Sequence, residues 1–380
     1  MNIGFFTESY LPSHDGVATS VAMTATQLTK IGHTVSIVAP NRPHAREKKN
    51  IYRIVSVKLL NNPEVWEAIE IPQSALFELF QKDFDIINIH SGGTITNIGW
   101  QIAKLHRIPL VMTYHTLWKY YAHYFPFSFL VNPWIYKEFN LLFGNTCNAL
   151  IAPTEKVKNI LKRYAIKKPI YVIPSGIELT KFSEAKKGYL RQKLHIPESK
   201  SILLSVGRLE KEKSPDFILS SFSRVAKQNS EVVLIFVGEG REKENIHRQA
   251  KQLGINSQIY FTGAIPYIHM PQVYADADAF LFASKTETQG MVIYEALATG
   301  LPVIAVQDLA FSSVLIDGYN GYMTNKNTKN YAKKILQILN DKDKYKKFSR
   351  NAQKSVVPFS IENTVKQLEQ CYLTIKASKS

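Results

Sequence analysis

The chain has 380 residues, about two domains' worth, because single hydrophobic cores stop growing near roughly 250–300 residues. Its 45% apolar and 21% charged composition is that of a globular protein and excludes disorder, collagen-like repeats and a bundle of membrane helices. Against 31 Asp and Glu stand 47 Lys and Arg, and the net charge of +16 attracts nucleic acid, anionic lipid or nucleotide substrates. Half of that excess, a local +8, lies in residues 151–200, where twelve Lys and Arg face Glu155, Glu178, Glu184 and Glu198. No run approaches the roughly 20 apolar residues of a membrane span, and the start MNIGFFTESY has no basic leader, so a cytoplasmic chain is expected. Cys147 and Cys371 stand far apart without a Cys/His cluster, so neither a disulfide framework nor a metal site is expected.

In chain order, short β-branched or aromatic runs alternate with segments of helical periodicity, the pattern of an α/β fold around parallel sheets. The first strand is IGFF (Ile3 to Phe6); after the loop TESYLPSHDG a helix carries Val17, Val21, Leu28 and Ile31 near one face and stops at Gly32. Strands VSIVAP, DIINIH, LVMTYH, ALIAP and YVIP complete a first Rossmann-like half, residues 1–174. A second half, 175–357, opens on the charged, strand-free stretch KFSEAKKGYLRQKLHIPESK and runs through ILLSVG, VVLIFVG, IYFTG, AFLFAS, PVIAV and GYMT. Residues 358–380 form a terminal helix with Ile361, Val365, Leu368, Tyr372 and Ile375 at helical spacing, expected to return to the first half. Ligands of such sheets bind outside the carboxyl ends of the strands, so the two halves are expected to face each other across a substrate cleft.

Chemistry concentrates in two loops of the second half. In SKTETQGMVIYEALATGLPVIA, Glu287 falls in a strand-to-helix loop and Glu295 inside the helix, placed to face one bound polyol, one toward a sugar and the other toward a ribose. Between them the amides around Gln289, Gly290, Met291 and Val292 form a helix N-terminus, where free N–H groups and the dipole favour a diphosphate. The plainer reading makes Glu287 a helix cap and Glu295 a solvated residue. In SVGRLEKEKSPDFILSSF, Arg208 and Lys213 follow a strand that ends at Gly207, and a guanidinium and an ammonium there can stabilise a departing diphosphate without proton transfer. FVGEGREKE lacks the third glycine of a dinucleotide fingerprint and reads as a turn into a helix.

With these motifs the sequence resembles glycosyltransferase family 4, retaining enzymes of the GT-B fold that use nucleotide sugars. The likeness runs from FFTESYLPSHDGVATSV through VIPSGIEL and VGRLEKEKS to the spaced glutamates and TGLPVIA. It implies that Arg208 and Lys213 hold the donor diphosphate, Glu287 the sugar and Glu295 the ribose. It also implies that Gly16 lies in the first loop and lets backbone approach the donor, and that FTGAIPYIHM contacts the nucleobase. Two positions depart from the family: the first loop reads DG where many members have GG, and Ser214 follows the lysine where glycine is common.

The stretch VMTYHTLWKYYAHYFP is similar to the bacterial subgroup that transfers glucose to diacylglycerol, in which His115 would face the donor sugar; the acidic pair usual after YHT is replaced by Leu117, Trp118 and Lys119. Trp118, Tyr121, Tyr124 and Phe125 open an aromatic segment that runs to Phe143, suited to shallow insertion at a membrane surface or to packing the first core. Lys156, Lys162 and Arg163, on the helix TEKVKNILKRYAIKK, would meet an anionic surface, with Val157, Ile160 and Leu161 turned inward. The reading is therefore a retaining hexosyltransferase, peripheral to the cytoplasmic membrane face, that uses a UDP-sugar donor and a lipid acceptor, with no cofactor and no metal. A polysaccharide, a lipid-linked oligosaccharide or a soluble acceptor is the alternative, and nucleic acid is not expected, since no recognition helix, RNP or zinc motif appears.

Overall fold

The structure is a computed structural model and describes residues 1–13, 15–45, 49–59, 62–90, 92–117, 141 and 143–378. It consists of two compact units, Met1–Gly176 with Ile361–Ser380, and Ile177–Ser360.

In the first unit the strands are β1 (Asn2–Thr7), β2 (Thr34–Pro40), β3 (Ile51–Ile54), β4 (Ser56–Leu59), β5 (Asn62–Ala68), β6 (Ile86–His90), β7 (Leu110–Thr113), β8 (Ala149–Ala152) and β9 (Ile170–Val172). Seven form one sheet in the order β3-β2-β1-β6-β7-β8-β9, every pair parallel, while β4 and β5 make a separate antiparallel pair. The central strands are apolar at successive positions because both faces are covered: Phe6, Ile87 and Ile89 enter one core, Phe5, Ile3 and Ile86 the other. Helices α1 (Gly16–Lys30), α2 (Ser74–Phe80), α3 (Thr94–Leu105) and α4 (Glu155–Arg163) are among those that follow these strands.

Asp15 starts α1, its Oδ1 accepting the Val17 and Ala18 amides at 2.9 Å, and Gly32 follows at φ +95°. Its buried face runs through Ala18, Val21, Ala25 and Leu28, with Val17 half-buried. Ile31, expected on that face, is exposed: the helix ends at Lys30, and beyond it the chain leaves the helical path. Gly16, expected in the loop, is the first helical residue.

The second unit holds β10 (Ser201–Val206), β11 (Val232–Val237), β12 (Ile259–Phe261), β13 (Ala279–Phe282), β14 (Val303–Val306) and β15 (Gly321–Thr324), all parallel, in the order β12-β11-β10-β13-β14-β15. The charged stretch after Gly176 supplies two short helices, α5 (Leu179–Ser183) and α6 (Tyr189–Leu194). Then come α7 (Pro215–Ala226), α8 (Lys243–Gln252), α9 (Met270–Ala275), α10 (Met291–Ala298), α11 (Thr328–Leu339) and α12 (Lys342–Val356).

At Ser360–Ile361 the chain re-enters the first unit as α13 (Ile361–Ala377), whose Ile361, Val365, Leu368, Tyr372 and Ile375 are buried against Ile3, Phe5 and Val21. A buried polar bond fixes it: Asn88 Nδ2 donates to Tyr372 Oη at 2.6 Å, and Asn88 is held in turn by Thr113 Oγ1, which donates to its Oδ1 at 2.9 Å. Gly176 sits so close to Ile361 and Thr364 that a Cβ there would overlap both. Among the described residues no helix is long and apolar enough to cross a membrane.

Candidate functional site

At the carboxyl edge of the second sheet, the loop after β10 passes through Gly207 (φ +145°) and Arg208 into a 3-10 turn, Lys211–Lys213. Arg208 and Lys213 line one hollow with Gly207, Pro215, Phe282 and Ala283. Lys213 Nζ lies 2.5 Å from Glu287 Oε1, with side chains 21% and 14% exposed. The more open Arg208 donates from Nη2 to Glu212 Oε1 at 3.2 Å. Ser214 adopts φ +54°, ψ +49°, the left-handed conformation that explains why glycine suits this place. The serine is held there, its hydroxyl accepting Lys326 Nζ at 2.8 Å. Behind this loop lies the GEG turn: a Cβ on Gly238 would overlap Gly207 O, and one on Gly240 would overlap Leu209 O. Those glycines let two backbones touch and thereby set the height of Arg208.

The loop into α10 reaches Gly290 (φ +78°, ψ +55°), which starts the helix with no side-chain cap. Glu287 therefore does not cap α10; it lies beside Gly290 and bonds Lys213 instead. The Gln289 to Val292 amides stand at the helix tip, with no acidic residue in the first turn and Gln289 buried. Glu295 is not solvated either: it is 6% exposed, and its Oε2 accepts the Tyr274 hydroxyl at 2.7 Å. Burial holds the Glu295 carboxyl above its ordinary range, against the pull of the Tyr274 and Tyr267 hydroxyls and Lys181. Burial likewise raises both tyrosines, which stay protonated and act as donors to the carboxylate. The structure thus unites Arg208, Lys213, Glu287 and the helix tip, while Glu295, on the same helix, is engaged by a separate tyrosine pair.

In the first unit, His115 lies two residues beyond β7 and its Nε2 is 2.9 Å from Nδ1 of His90, the last residue of β6. Burial pushes His115 down to about 4, with Asp15 pulling the other way, and burial holds His90 well below the usual histidine range. Gly16, at the start of α1, is exposed, and a Cβ there would meet nothing within 4 Å among the described residues. Sequence reading missed His90, although DIINIH ends in it one strand away from His115. It also missed Glu8, just after β1, whose Oε1 accepts the Thr96 amide at 3.0 Å. Burial and the nearby Glu67 raise Glu8 to about 8. On α4, Val157 and Leu161 are buried, Lys162 and Arg163 exposed and Lys156 half-buried. Trp118, Tyr121, Tyr124 and Phe125 lie outside the described residues, and Phe143, at the far end of their segment, packs edge-on against Trp100. Among the described residues no group of three or more His, Cys, Asp or Glu could hold a metal ion.

Two Rossmann-like units, the second with a cation-lined hollow and a helix tip at its carboxyl edge, have the architecture of a GT-B transferase. Residues 14–181 match the family model "Glycosyltransferase Family 4" and residues 187–355 match "Glycosyl transferases group 1". The chain is 34% identical to the alpha-monoglucosyldiacylglycerol synthase of Streptococcus pneumoniae over 327 residues, 80% of this chain and 71% of that protein. It is 29% identical to the Acholeplasma laidlawii protein of the same name over 390 residues, 99% and 97% of the two chains. Among solved structures, Anabaena HepE in complex with UDP and glucose superposes with TM-score 0.77 at 18% identity, over 98% of this chain and all of that one. Sucrose-phosphate synthase of Thermosynechococcus elongatus superposes with TM-score 0.78 at 19% identity, over the whole of both chains. The chain belongs to the family 4 glycosyltransferases.

Proposed function

We propose that the protein is a retaining hexosyltransferase that moves glucose from UDP-glucose to diacylglycerol at the cytoplasmic face of a membrane. The observation that carries the donor chemistry is the Lys213–Glu287 pair beside the α10 tip, with Arg208 on the same hollow. A diphosphate arriving there takes the ammonium over from Glu287 and leaves that carboxylate to accept sugar hydroxyls. Arg208, Lys213 and the Gln289, Gly290, Met291 and Val292 amides meet the charge that grows on the diphosphate as it leaves. Glu295 accepts the ribose hydroxyls, His115 faces the sugar, and the exposed Gly16 lets backbone come close to the donor. The acceptor oxygen attacks C1 on the face from which the diphosphate departs. The C1–O bond to the diphosphate breaks, the bond to the acceptor forms, and the acceptor's proton passes to a leaving phosphate oxygen, giving UDP and the α-glucoside. The lipid acceptor is supported by the names of the two relatives, and the membrane contact by the exposed cations of α4, each contributing on the order of 1 kcal/mol near an anionic surface. The test is a panel of UDP- and GDP-sugars offered to vesicles of diacylglycerol and anionic phospholipid, with products identified by mass spectrometry and anomeric NMR. An α-glucosyl lipid from UDP-glucose is the expected product. A β-linkage, another preferred donor, or preferred transfer to a polysaccharide, a lipid-linked oligosaccharide or a soluble acceptor refutes the corresponding part.

A further inference from the structure

We infer that His90 is a positioning residue that fixes the tautomer of His115, leaving His115 with its proton on Nδ1 as a hydrogen-bond donor. Strands β6 and β7 are neighbours, in register with His90 opposite Thr113, so the last residue of β6 and the loop leaving β7 bring the imidazoles together. The rings lie within 14° of parallel with centroids 5.2 Å apart, while the two nitrogens are 2.9 Å apart. The difference between those distances is the span from each ring centre out to its nitrogen. The rings therefore meet edge to edge, as an N–H···N hydrogen bond requires, and not face to face. Both imidazoles are neutral, since burial disfavours the charged form of each. One proton is then shared between the facing nitrogens, and it can belong to either ring.

The other nitrogen of His90 decides between the two. Among the described residues its Nε2 has no hydrogen-bond partner, and it is buried on a side chain only 4% exposed and set edge-on to Phe5. Were His115 the donor, His90 would carry its proton on Nε2 and bury an orphaned N–H, a rarer and costlier state than a bare acceptor. With the proton on His90 Nδ1, that ring donates to His115 Nε2, and His115 keeps its own proton on Nδ1. His115 then meets whatever its Nδ1 faces as a hydrogen-bond donor. The functional consequence rests on the proposal that His115 faces the donor sugar; the tautomer itself does not.

The test uses the full chain labelled with 15N-histidine and long-range proton–nitrogen correlation spectra. The expected signature is a bare Nε2 and a protonated Nδ1 on His115, with His90 protonated on Nδ1. H90N places an amide N–H where Nδ1 stood, whereas H90L removes the donor. H90L should mix the His115 tautomers and lower glucosyl transfer to diacylglycerol vesicles by about tenfold in kcat/KM, while H90N stays within about threefold of wild type. A wild-type His115 protonated on Nε2 overturns the inference whatever the variants do. So does an H90L chain with unchanged tautomer and turnover, or an H90N chain as impaired as H90L. Absence of glucosyl transfer by the wild type counts against the proposed reaction alone, because the spectra do not depend on turnover.

Discussion

Replacing Lys213 by methionine removes an ammonium at nearly constant length and leaves Glu287, 14% exposed, without its 2.5 Å partner. A hydrogen bond to a charged group contributes about 1.5–3 kcal/mol, and breaking a deeply buried pair costs about 3–5 kcal/mol. This pair is not deeply buried, so K213M should destabilise the second unit by about 2 kcal/mol. E287Q alone should cost less, and the double variant, with methionine against an amide, should regain about 1 kcal/mol of what K213M loses. Turnover should behave differently. One fixed cation opposite a developing diphosphate charge is worth about 100- to 1,000-fold in kcat, and the double variant restores none of it. The two effects are separable because all four tryptophans, Trp66, Trp100, Trp118 and Trp134, belong to the first unit. Tryptophan fluorescence in urea then follows that unit, and a change confined to the second appears in circular dichroism alone. If K213M E287Q recovers turnover along with stability, or K213M keeps a third of wild-type activity, the pair is structural and the donor chemistry lies elsewhere.

Glu8 makes the first unit sensitive to alkali. Its folded pKa of about 8 exceeds the ordinary glutamate value of 4.5, so its contribution to stability is fully present below about 4.5 and is lost as pH rises through 8. The loss amounts to about 1.4 kcal/mol per unit of pH across that window. E8Q should flatten the fall in the fluorescence-detected urea midpoint between pH 6 and pH 9, and an unchanged slope would contradict the assignment. Y372F leaves Asn88 Nδ2 without its acceptor in a fully buried place, at about 1–3 kcal/mol, and the shift should appear in the fluorescence transition and not in the unfolding of the second unit. G238A drives a Cβ into Gly207 O and displaces the Arg208 loop, so KM for UDP-glucose should rise about tenfold with vesicle binding unchanged; an unaltered KM would show that the loop tolerates the shift.

Much of the fold was legible because parallel strands covered on both faces read as unbroken apolar runs, such as VVLIFV. The face of α13 was equally plain, since all five residues picked out by spacing are buried. The strands β3, β4 and β5 were not read: IYRI and SVKL are four residues each and carry a charge that breaks the alternation. Within the site, residues that act through neighbours close in sequence could be found, and those that act through distant partners could not. The Gly290 turn belongs to the first kind, and Lys213 was found from its own loop although its partner Glu287 lies 74 residues on. His90 and His115 are 25 residues apart, Tyr274 and Glu295 21, and Ser214 and Lys326 112. Nothing in local periodicity announces such pairs; the folded sheets bring them together.

The return of α13 to the first unit reverses the order in which the chain matures on the ribosome. Residues 177–360 have everything they need once they have emerged, but the first unit must wait for Ile361–Ala377. At about 5–20 residues per second that delay lasts roughly 10–40 s, with Ile3, Phe5 and Val21 lacking their cover throughout. The half of the molecule made first is thus the half finished last, and its nascent apolar groove is where a chaperone would find purchase.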